Sequence, residues 1–156
     1  ATSSIVQTAS GTELASFLAF EVPQSAIPFG SLAPGSTTNP IVASTTMRAI
    51  GNLGLNENLS GSSMCTTYPT CPVSPTSTIP VTSEAYGSSS VQYASATVLT
   101  GSSTLFVLAV PKTTATSSPQ SRATFWGIAV PGSITLAGDY TGQNTIIGVR
   151  SSPSLW

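Results

Sequence analysis

The side chains able to do chemistry are few in this chain. The acids are Glu13, Glu21, Glu57, Glu84 and Asp139, the bases are Arg48, Lys112, Arg122 and Arg150, and histidine is absent. A Ser-His-Asp triad or a Cys-His pair is therefore excluded. Glycoside hydrolysis would need two carboxylates facing each other across a cleft. The five acids are spread over the whole chain, a pattern that predicts isolated surface or turn carboxylates and no catalysis. No Asp- and Asn-rich loop offers the convergent oxygens of a calcium site. No glycine-rich run carries the lysine and helix of a phosphate loop. Neither a metal nor a cofactor is expected.

Cys65 and Cys71 bound the stretch "CTTYPTC". A disulfide closing so short a loop is geometrically feasible. Zinc would require histidine or a second cysteine pair. The bridge predicts an oxidising, extracytoplasmic setting. Asn58-Leu59-Ser60 is a glycosylation sequon, of a kind that chance produces readily in a serine-rich chain. The Ser/Thr-Pro stretches 66–82 and 113–118 suit O-linked sugar or plain hydrophilic loops. Tyr68, Tyr86, Tyr93, Phe125, Trp126 and Trp156 would form a sugar-stacking platform, with surface glycans as partner, if they shared one face. Phe125 and Trp126 are adjacent in a strand pattern and point to opposite faces, so one of them belongs to the core.

These side chains stand on an unusual background. Of 156 residues, 27 are Ser and 23 are Thr, while charged residues make up 6% and the net charge is −1. An ordinary soluble domain carries about 25% charged residues. Hydrophobic residues reach 40%, which separates the chain from disordered compositions. Hydroxyls and backbone must cover the surface, and such a surface repels its neighbours weakly, favouring association. Four scattered basic residues cannot build a phosphate-binding face, so nucleic acid is not an expected partner. An anionic membrane surface is disfavoured for the same reason. No run of 18 apolar residues spans a bilayer. The chain opens at Ala1 without a basic, apolar leader, as would a chain trimmed at its start or a product exported to the exterior or cell surface after removal of a signal segment.

Short β-patterned runs punctuated by turn clusters position everything else. They are "ASFLAFEV" (15–22), "IVASTTMRAI" (41–50), "STIPVT" (77–82), "VQYASATVL" (91–99), "TLFVLAVP" (104–111), "RATFWGIAV" (122–130) and "NTIIGVR" (144–150). In the second, Ile41, Ala43, Met47 and Ala49 share one face, and Ser44, Thr46 and Arg48 the other. The fifth is apolar throughout, which predicts a central core strand. With 12 Pro and 13 Gly, helical spacing is not sustained. The pattern predicts an all-β, antiparallel β-sandwich, immunoglobulin-like or jelly-roll-like, of about eight to nine short strands. Its parts would be an N-terminal arm (1–12), one sandwich domain (13–150) with a Pro/Ser/Thr-rich insert at 60–80, and a C-terminal tail (151–156).

"FGSLAPGS", followed by an alternating strand and "GNLG", resembles the start of immunoglobulin-like β-sandwich domains on bacterial and archaeal surface proteins. "WGIAVPGSITLAGDYTGQNTIIGV" (126–149) resembles the closing hairpin of the same class, as in spore-coat-U-type and other surface-fibre domains. Together the two stretches bracket roughly 120 residues. Phe29 suits a sheet edge and Gly30 a tight backbone beside it. Pro34-Gly35 suits a type II-like turn. Tyr140 is expected under the last hairpin with its hydroxyl on backbone, and Gly138 and Gly142 at positive φ beside it.

Sandwich, uncharged surface and missing chemistry together predict a non-catalytic structural subunit, a homopolymer forming an extracellular filament or surface layer. The arm "ATSSIVQTAS" would donate Ile5 and Val6 to a neighbour's open edge. A disordered leader, or the molecule's own first strand, is the alternative for that arm. Trp156 is either frayed or docked on a neighbouring subunit. The alternatives for the whole chain are a surface adhesin or carbohydrate-binding module and a viral coat subunit.

Overall fold

Alternation of side chains about extended segments produces ten strands in the computed structural model, which describes residues 16–114 and 117–152. They are β1 (Phe20–Glu21), β2 (Ala43–Ala49), β3 (Leu55–Gly61), β4 (Met64–Cys65), β5 (Thr78–Ile79), β6 (Glu84–Gly87), β7 (Thr97–Val98), β8 (Thr104–Val110), β9 (Gln120–Ile128) and β10 (Asn144–Arg150). One sheet has the order β1-β2-β9-β6-β7, the second β10-β3-β8, and β4 and β5 form a small third pair. Every pairing is antiparallel. The fold is an all-β sandwich.

The two larger sheets meet through two apolar clusters, and a third ties the first sheet to the small β4-β5 pair. Met47 and Ala49 of the first sheet pack with Leu55, Leu108 and Val110 of the second. Trp126 and Tyr86 pack with Leu59 and Leu99. Trp126 is fully buried, and its Nε1–H donates to Thr45 Oγ1 at 2.9 Å, so its polar atom is satisfied inside the core. Tyr86 meets Phe106 edge-on at a centroid distance of 5.1 Å. The third cluster joins Ile79, Ile128, Val130 and Ile134 with Met64 and Tyr140 at its margin.

β2, β9 and β10 fall within the β-patterned runs 41–50, 122–130 and 144–150, β9 starting two residues earlier, and in β2 Met47 and Ala49 face the core as read. Four readings need correction. In the described part of 15–22 only Phe20 and Glu21 form a strand, because Phe17 and Ala19 before them bond to residues 50–52, with the Phe17 N–H on Asn52 Oδ1 at 2.7 Å. In 91–99, Tyr93–Ser95 forms a 3-10 turn pinned by the Tyr93 N–H on Asn39 Oδ1, which leaves only Thr97–Val98 to pair. The apolar run 104–111 is a strand but lies at a sheet edge. Phe106, Leu108 and Val110 face inward, while Leu105 and Val107 stand 57% and 65% exposed. Finally, β9 and β10 belong to different sheets, so 129–143 crosses between sheets and is not a hairpin.

The crossover keeps the expected local chemistry. The Tyr140 hydroxyl donates to the Leu136 carbonyl at 2.9 Å. Gly35 has φ +78°, and the Ser36 N–H closes the turn on the Ala33 carbonyl, as a type II turn requires. Gly142 is not at positive φ. It is needed because the Met64 side chain occupies the space a β-carbon would fill.

Candidate functional site

Two of the five acids contradict their reading as surface carboxylates. Glu57 on β3 and Glu84 on β6 are fully buried. Each ties one sheet to the other: Thr124 Oγ1 of β9 donates to Glu57 Oε2 at 2.6 Å, and Asn144 Nδ2 of β10 donates to Glu84 Oε2 at 2.7 Å. Among the described residues, Glu57 Oε1, Glu84 Oε1 and Asn144 Oδ1 are buried without a partner. Burial disfavours the carboxylate form. It raises Glu57 above its ordinary range against the Thr124 bond, and it raises Glu84 to about 6 against the Asn144 bond. Burial and the nearby Glu84 together push the Tyr93 hydroxyl up. Neither carboxyl lines the two surface grooves described below, so the pair acts on the packing of the sheets. Glu21 pairs with Arg48 at 2.9 Å across β1 and β2, half-exposed, and Asp139 is exposed. Glu13 lies outside the described residues.

Cys65 and Cys71 are bridged, as the spacing implied. The bridge holds the loop after β4, and the backbone of Cys65 exchanges two hydrogen bonds with Thr141. The insert is thus attached to the crossover through Cys65, and to the core through Met64 and Ile79. Intact mass of the unreduced protein should be two hydrogens below that of the reduced chain. Alkylation of both thiols without reduction would contradict the bridge. In the chain-entropy account so short a loop contributes about 2–3 kcal/mol at most. Reduction should therefore raise hydrogen exchange in 60–80 while the sandwich stays folded.

The remaining candidates separate. Tyr86 and Trp126 lie in the core and cannot join a sugar-stacking platform. Tyr68 and Tyr93 are half-buried, with their hydroxyls on the Gln143 side chain and the Ser83 carbonyl. Asn58 sits at the centre of β3 on the outer face. Ile5, Val6 and Trp156 lie outside the described residues.

A seam runs along one side of the sandwich, with segment 24–34 on one side and β10 and the crossover on the other. One groove, of about 320 Å³, is lined by Gln24, Ile27, Phe29, Thr45, Asn144 and Ile146 among others. A second, of about 440 Å³, is lined by Leu32, Ile79, Ile128, Val130 and the crossover up to Tyr140. Phe29 and Met64 line both, so the two grooves adjoin. Segment 24–29 is held against β2 by the Gln24 side chain, whose Oε1 accepts the Thr46 N–H at 2.8 Å.

Above this seam β10 is half-paired. The Ser62 N–H donates to the Gln143 carbonyl, and Asn144 lies opposite Gly61. Strict alternation along an antiparallel ladder then turns the N–H and C=O groups of Asn144, Ile146 and Gly148 away from β3. Among the described residues no backbone group pairs with them. Their inward side chains differ: Ile146 packs on two core clusters, and Gly148 leaves the space that Phe20 fills. A strand laid along this edge would complete the ladder and drop alternate side chains into the groove. The reading of "NTIIGVR" as a β-patterned run located the right segment. Nothing local marked its outer edge as open, nor the contribution of Gln24, Ile27 and Met64 to the seam.

No protein family model, no curated protein and no solved structure matches this chain.

Proposed function

We propose that this protein is a non-catalytic structural subunit of an extracellular filament or surface layer, a homopolymer whose copies join by strand addition. The observation that carries the reading is the open β10 edge beside an apolar seam. An unpaired edge is a template for another strand, and here the groove next to it supplies a place for that strand's side chains. In this reading the donor is the arm at residues 1–10 of a neighbouring copy, with Ile5 and Val6 as its apolar members. A surface of hydroxyls with 6% charged residues supports the reading, since subunits can approach closely without repulsion. The disulfide supports an extracytoplasmic site of assembly. No helix among the described residues is long and apolar enough to cross a membrane.

Electron microscopy of the protein purified from its native source tests the proposal. Filaments or sheets with one repeating subunit are the expected result. Monodisperse monomers under every assembly condition would sink it.

A further inference from the structure

We propose that Asn58 carries an N-linked glycan, and that this glycan lies over the outer face of the three-stranded sheet. The sequon Asn58-Leu59-Ser60 falls in β3, the middle strand, where Ile147 of β10 and Leu105 of β8 stand directly opposite Asn58 on either side. Ser60, two residues on, shares that face with Asn58, while Leu59 between them is buried in the core. The sequon's polar residues thus point outward and its apolar residue inward.

A second observation sets Asn58 apart. Every other asparagine of the chain has its amide engaged. Asn39 and Asn52 accept the N–H groups of Tyr93 and Phe17, Asn56 accepts that of Ala109 at 2.9 Å, and Asn144 holds Glu84. The Asn58 amide has no partner among the described residues and is half-buried on an open face. Around it lie exposed apolar side chains, Leu105, Val107 and Ile147, the last 47% exposed. Clustered exposed apolar side chains mark a surface that something covers. A saccharide attached at its centre would cover it, with sugar C–H faces against these side chains and hydroxyls toward water.

The transfer balances with one co-reactant, a lipid-linked glycosyl diphosphate. Asn58 Nδ2 forms a bond to the anomeric carbon, the bond from that carbon to the diphosphate oxygen breaks, and the diphosphate leaves with the electron pair. One amide proton passes to solvent. Because the β3 backbone is paired on both sides, transfer takes place on the extended chain before β8 and β10 close over it. The site lies on a sheet face and not on the β10 edge, so the proposal is independent of strand addition.

Peptide mapping of the native protein by mass spectrometry should find the Asn58 peptide shifted by saccharide masses and releasing sugar fragment ions. Asn58→Gln and Ser60→Ala, expressed in the native host, should each lose the shift; Ser60→Ala does so with the asparagine still present. An unmodified Asn58 peptide from native material overturns the site. The covering role has its own readout. Protein from a host without N-glycosylation should bind a hydrophobic fluorescent dye more strongly than native protein, and Leu105→Ser with Val107→Ser should remove the excess. Equal dye binding by the two forms overturns the covering role.

Discussion

Deletion of residues 1–10 should give a folded protein that stays monomeric under conditions where the full chain polymerises. The apolar return of that arm is small: Ile5 and Val6 contribute about 1.5–3 kcal/mol each on full burial. Ordering ten residues costs more than that, so the arm can hold only where it also extends a ladder. The β10 edge, with the outward groups of Asn144, Ile146 and Gly148, is where it would do so. Two point changes separate donor from acceptor. Ile5→Asp would place an unpaired carboxylate in the groove, which is strongly disfavoured. Ala26→Trp would fill the groove from its own wall, where Ala26 is exposed and its replacement disturbs no core packing. Both variants should sediment as monomers with unchanged far-ultraviolet circular dichroism. Assembly of the deletion and of both variants to the parent's extent would mean that subunits meet through their faces.

The folded protein should be more stable near pH 4.5 than near pH 7.5, the reverse of proteins held together by ion-paired carboxylates. Glu84 is raised from 4.5 to about 6 by burial, and Glu57 is raised by the same cause. Between those values the folded state holds a proton that the unfolded chain has already lost, so stability falls as pH rises. The contribution is fully present below the unfolded value and is lost as pH passes through about 6. For Glu84 the difference amounts to about 2 kcal/mol, and Glu57 adds in the same direction. A local observation agrees with this sign. Among the described residues, Glu84 Oε1 and Asn144 Oδ1 are both buried acceptors without a donor, and a proton on Glu84 supplies one. Burial and one side-chain hydrogen bond each set Glu84 and Glu57, and Glu84 in turn raises the Tyr93 hydroxyl, which stays protonated throughout this range.

Glu84→Gln keeps the shape and the amide bond but cannot ionise. It should raise the denaturant midpoint at pH 7.5 and leave it near the parent's at pH 4.5. A midpoint that climbs with pH in the parent, or a Gln variant no more stable at pH 7.5, would contradict the argument. Asn144 also lines the groove beside β10, so the same proton acts next to the proposed acceptor edge.

Where side chains alternate regularly, the chain is readable without a structure. β2 was legible because its two-residue periodicity reports which side faces the core, β10 as a short β-patterned run, and Trp126 as half of an adjacent aromatic pair split across a strand. The Pro34-Gly35 turn and the Cys65–Cys71 bridge were legible because both depend on contacts over a few residues. β3 was not. "LNENLSG" looks like a polar loop, because the groups that make Glu57 and Asn56 tolerable inside, Thr124 and the Ala109 N–H, come from β9 and β8. β8 misled in the other direction: an apolar run suggests burial on both faces, yet it lies at an edge where Leu105 and Val107 meet solvent. The candidate site was the least legible part. Its seam joins segment 24–34 to β10 across more than a hundred residues of chain. Whether an edge is open depends on which strands the other sheet captures. That choice is a sum over packing between distant segments, and no local pattern encodes it.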